Sequence, residues 1–79
     1  MFYKMPGFEI ETPRRLSVSE FLQVRRLAEA ADASGTIQAG SLITVFLDSR
    51  YHRAMSLQEA VYLLVPKTKV TKVKKEGEY

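Results

Sequence analysis

Two serine–glutamate pairs at one spacing, Ser17 with Glu20 and Ser56 with Glu59, are the residues that most resemble a nucleophile beside its base. Each pair also sits directly before an amphipathic run. Ser-x-x-Glu in that place is a capping box, in which the hydroxyl and the carboxylate each satisfy a backbone N–H that the first helical turn leaves open. Capping accounts for both pairs without any chemistry. His52 is the sole histidine, and no set of carboxylates at ligand spacing accompanies it, so no metal centre is expected. Glu9 and Glu11 would share one face of a strand, where they read as its solvated side rather than as an acid and its base. The glycines at 7, 35, 40 and 77 are scattered, and none belongs to a phosphate-binding loop. Cysteine is absent, which removes disulfides and thiolate chemistry together. No catalytic residue and no cofactor is expected.

What remains is binding. Residues 65–79 carry five lysines against two glutamates, whereas residues 1–64 balance seven Lys and Arg against seven Asp and Glu, so the whole net charge of +3 lies in the tail. Nucleic-acid recognition would use Lys67, Lys69, Lys72, Lys74 and Lys75 for phosphates. The cluster "RYHR" would help, with Arg50 and Arg53 on phosphates and Tyr51 and His52 stacked on bases. The neutral body provides no broad attractive field for a polyanion, and no helix-turn-helix, zinc finger or RNP-like pattern is present. The preferred reading is therefore a small non-enzymatic protein-interaction module. It would act as an inhibitor, adaptor or assembly factor by occupying a partner protein's surface, a role common among short phage and mobile-element products. Nucleic acid is the alternative partner, and self-association through an edge strand is a further possibility.

These side chains need elements to hold them. Leu16 precedes the cap at Ser17 and Phe21 follows it, as in a hydrophobic staple. Phe21, Val24, Leu27, Ala28 and Ala31 then fall on one side at helical spacing, and Gly35 suits the left-handed residue that closes a helix. A second, shorter helix opens at Ser56, carries Leu57, Ala60, Val61 and Leu64 inward, and stops at Pro66. "GFEIE" alternates as a half-exposed strand, which "TPRR" ends. "LITVFL" at 42–47 favours a buried strand by composition, although Ile43, Phe46, Leu47 and Tyr51 would also line a helix. "KTKVTKVKK" favours an edge strand with its lysines outward and Val70 and Val73 toward the core.

The expected fold is α+β: strand, capped helix, strand, capped helix, strand, with both helices on one face of a small, about three-stranded sheet. Val18, Phe21, Val24, Leu27 and Ala28 would meet Leu42, Ile43, Val45, Leu57, Val61 and Leu64 in the core. The alternative is a three-helix domain with "SLITVFLDSRYH" helical and the basic tail extended. Seventy-nine residues suit one small core. No apolar run approaches the roughly 20 residues that cross a bilayer, and Pro6 and Gly7 break the opening stretch, so neither a membrane span nor a secretory leader is expected. The expected compartment is the cytoplasm.

Overall fold

In a computed structural model of the chain, residues 1–37 and 53–73 are described below. They form an α+β unit in the order β1 (Phe2–Met5), β2 (Phe8–Glu11), α1 (Val18–Ser34), α2 (Leu57–Leu64) and β3 (Lys69–Lys72). The sheet is antiparallel throughout, with β2 at its centre. Ile10 of β2 faces Tyr3 on one side and Val70 on the other. Both helices cover the face that carries Tyr3, Met5, Phe8, Ile10 and Val70. Val24, Leu27, Ala28 and Ala31 of α1 and Leu57, Ala60 and Val61 of α2 complete the core there.

The front of the chain departs from expectation. A hairpin stands where one strand was read, because Pro6 and Gly7 form its corner: proline presets the first position, and Gly7 takes φ 78° at the second. A side chain at Gly7 would also collide with the Asp32 carboxylate, which closes over the turn. Met1 and Thr12 extend the ladder beyond both strands through two backbone bonds of 2.8 Å. The expected strand at 42–47 and its core residues Leu42, Ile43 and Val45 lie outside the described residues. Ile37 and Met55 form an isolated antiparallel bridge, and both are buried.

Two inward assignments change, Val18 and Val73, while Phe21 packs at the margin of the core. Val18 is 78% exposed, since at 100° per residue it stands about 120° around the helix from Val24. Phe21 is half-buried, with its ring 5.7 Å from that of Tyr3. In the tail, Val70 packs against the core while Val73 is exposed. The two valines are three apart, and a strand's alternation sends such residues to opposite faces.

Candidate functional site

Both Ser–Glu pairs serve the helix starts. Ser17 Oγ accepts from the Glu20 N–H at 3.1 Å, and Glu20 Oε1 accepts from the Ser17 N–H at 2.9 Å, so the box at α1 is complete. Arg14 closes on the same carboxylate with two donors, at 2.8 and 2.7 Å. That fork, together with the Ser17 N–H, pulls the Glu20 carboxyl down to about 2 and raises the Arg14 guanidinium. At α2 only half of the expected box forms. Ser56 Oγ accepts from the Glu59 N–H at 3.2 Å, but the Glu59 carboxylate turns to Arg53 instead of back to Ser56. Arg53 lowers the Glu59 carboxyl and is itself raised in return.

Among the described residues, the predicted basic side chains do not converge. Arg50, Tyr51 and His52 lie outside the described residues, as do Lys74 and Lys75. Arg53 is exposed but bound to Glu59. Lys67 occupies a left-handed corner at φ 68°, in the turn where the Thr68 N–H reaches the Val65 carbonyl at 3.3 Å. Cross-strand pairing sets Lys69 opposite Glu11 on the outer sheet face and Lys72 opposite Phe8 on the helix-covered face. The two strand lysines thus point to opposite sides of the sheet. The outer face alternates in sign, with Lys4 opposite Glu9 and Glu11 opposite Lys69.

An apolar cleft of about 320 Å3 lies instead along the outer side of α2, lined by Arg53, Met55, Gln58, Glu59, Tyr62 and Leu63. Inward placement of Leu57, Ala60 and Val61 leaves Tyr62 and Leu63 facing out, 49% and 42% exposed. The polar groups around it are already engaged. Arg53 and Glu59 neutralise one another at the rim. The Gln58 amide donates to the Thr68 carbonyl at 2.8 Å and accepts from the Val70 N–H at 2.9 Å, which fixes it against β3. The cleft therefore presents hydrocarbon, a phenol and a paired charge. Groups of this kind are common at the centres of protein interfaces in general. Sequence reasoning passed over this face, although "AVYLLV" is apolar all round and an eight-residue helix has only one side to bury.

Among the described residues, no three metal-ligating side chains come together and no helix is long and apolar enough to cross a membrane. Comparison with known proteins finds no family, curated protein or solved structure that matches the chain.

Proposed function

We propose that this chain is a non-enzymatic protein-interaction module that works in the cytoplasm by occupying a partner protein's surface, with the α2 cleft as its contact. The exposed pair Tyr62 and Leu63 carries this reading. Large apolar side chains at the centre of a patch, with a polar rim that excludes water, are where binding energy concentrates in protein interfaces. Inhibitor, adaptor and assembly factor are all roles that such a contact serves. The divided lysines weigh against nucleic acid, because Lys69 and Lys72 cannot track one phosphate backbone from opposite faces of a sheet.

The test is capture of a partner by the intact chain, compared with two variants. Joint Tyr62→Ala and Leu63→Ala should leave helix content and melting unchanged, since alanine favours the helix, and should weaken partner binding by about 30-fold or more, the loss typical of an interface hot spot. Changing Lys67, Lys69, Lys72, Lys74 and Lys75 to glutamine should leave binding in place. The opposite pattern, with binding lost in the lysine variant and steeply weakened by salt, would establish nucleic acid as the partner.

A further inference from the structure

The sheet has two edges, and the chain treats them differently. Along β3, the Val73 N–H donates to the Gly7 carbonyl at 2.9 Å, so by the alternation of an antiparallel ladder Lys69 and Thr71 bond to β2 while Val70 and Lys72 turn their backbone groups outward. Gln58 occupies part of that outer edge. Its amide meets the Thr68 carbonyl and the Val70 N–H as a neighbouring strand would.

Among the described residues, no such cover lies on β1. Met1 and Thr12 exchange both backbone bonds, which makes Tyr3 with Ile10 and Met5 with Phe8 the bonded pairs and turns the N–H and C=O of Phe2 and Lys4 away from β2. Those outward groups meet no partner among the described residues. Beside them Phe2 is 75% exposed. Above them, on the flank of α1 beyond Phe21, whose ring rests by Tyr3, stand Val18 and Leu22, the latter 51% exposed. Helical geometry puts these two residues about 60° and 100° further round from Phe21, away from the buried stripe. An open strand edge and three exposed apolar side chains thus share one side of the molecule.

We propose that this edge is a homodimer interface in which β1 pairs antiparallel with β1 of a second copy about a two-fold axis at Tyr3. The sequence of the edge selects a second copy as its occupant. In this register Phe2 falls opposite Lys4 of the other chain, in bonded pairs that use every outward N–H and C=O of both residues. The lysine stem covers the phenylalanine ring and its ammonium lies over the ring face. Across the joined sheet one row on the outer face reads Lys69, Glu11, Phe2, then Lys4, Glu9 and Thr71 of the second copy, so no like charges meet. Val18 and Leu22 of the two α1 helices approach above the junction and exclude water from it. The interface lies at the β1 side of the sheet, whereas α2 packs by β3, so a dimer would present two α2 clefts without covering either.

Sedimentation equilibrium of the full chain from about 1 µM to about 1 mM spans the affinities that a small interface of this kind reaches. Mass should rise from monomer to dimer across that range. Lys4→Pro removes one outward donor and no bond to β2, so it should weaken the dimer by at least ~10-fold and preserve the melting curve. Leu22→Glu, at an exposed helical site, should also weaken it. Amide exchange of the unaltered chain provides a check that depends on no variant: the Phe2 and Lys4 amides should slow as concentration rises. A chain that stays monomeric throughout would overturn the proposal, as would a dimer indifferent to Lys4→Pro or one in which those amides gain no protection. Tyr62→Ala with Leu63→Ala should leave the dimer intact, and partner capture by a monomeric chain would remove the dimer while leaving the α2 contact standing.

Discussion

The two helix starts follow one seven-residue pattern, Arg14 to Glu20 and Arg53 to Glu59, with arginine, an apolar residue, serine and glutamate at matching places. They nevertheless resolve differently. Glu20 holds the Ser17 N–H and the Arg14 fork together, whereas Glu59 gives its carboxylate to Arg53 alone. The apolar residue before each cap differs as well. Leu16 sits at the margin of the core, where its N–H donates to the Tyr3 hydroxyl at 2.9 Å. Met55 is 1% exposed and exchanges two backbone bonds with Ile37, at 2.7 and 2.9 Å. The long helix is thus started by local side-chain bonds, and the short one by tertiary anchorage. Eight residues gain little from helix propagation alone, so α2 relies on that anchor.

The sharpest way to break this contrast is to truncate the anchors. Met55→Ala should cost about 2–5 kcal/mol, the range for emptying a buried site, and Leu16→Ala nearer 2 kcal/mol because its site opens to solvent. Chemical denaturation of the two variants checks the order, and a larger loss at Leu16 would reverse the assignment of local and tertiary starts.

Cap removal comes next. Ser17→Ala and Ser56→Ala should each cost roughly 0.5–2 kcal/mol, with Ser17 the more costly because its box is complete. The two carboxylates sharpen the same point through pH. Glu20 titrates near 2 in the folded chain against an ordinary value near 4.5, so its contribution is present above about 4.5 and is lost as pH falls toward 2. Melting temperature measured across that interval should fall less steeply for Glu20→Gln than for the unaltered chain. Glu59→Gln should alter the acid limb in the same direction by a smaller amount, since its carboxyl is also lowered, by Arg53 first, but does not complete a capping box. Equal effects would show that the incomplete box at α2 stabilises as much as the complete one.

The last contrast concerns how the helices close. Gly35 ends α1 at φ 82° with its N–H on the Ala31 carbonyl at 2.7 Å, whereas the turn after α2 puts Lys67 into a left-handed corner at φ 68°. Gly35→Ala should destabilise by about 1–2 kcal/mol. Lys67→Gly should stabilise by up to ~0.5 kcal/mol, the relief of a left-handed side chain less the freedom glycine adds to the unfolded chain. Opposite signs in the two melting curves are the expected result.

What the sequence disclosed was local. The capping box at Ser17, the stop at Gly35 and the inward stripe of α2 are written within a few neighbouring residues and stand in the structure as read, whereas the box at Ser56 forms only by its serine half. The hairpin is also local, but Pro6 and Gly7 read as an interruption in the sequence, whereas they form the corner of a turn. Val18, expected in the core, stands off the buried stripe of α1 and is exposed. The cleft beside Tyr62 was legible as an excess of apolar residues on a helix too short to bury them all. Nothing local, however, announces that the Gln58 amide binds the backbone of β3, since its partners lie ten and twelve residues away. The spacing of three between Lys69 and Lys72 parts them in any strand, but it could not reveal which of them lies on the helix-covered face. That followed from the register with β2.

The Gln58 amide also bears on how the domain comes apart. A terminal strand held only by its neighbour can fray by itself, in an opening that leaves the remainder intact. Here β3 cannot leave β2 while keeping its bonds to α2, and α2 cannot unwind at Gln58 without exposing the Val70 N–H and the Thr68 carbonyl. The last strand and the short helix are thereby joined into one cooperative unit, and the C-terminal end of the sheet takes on the persistence of the core it covers.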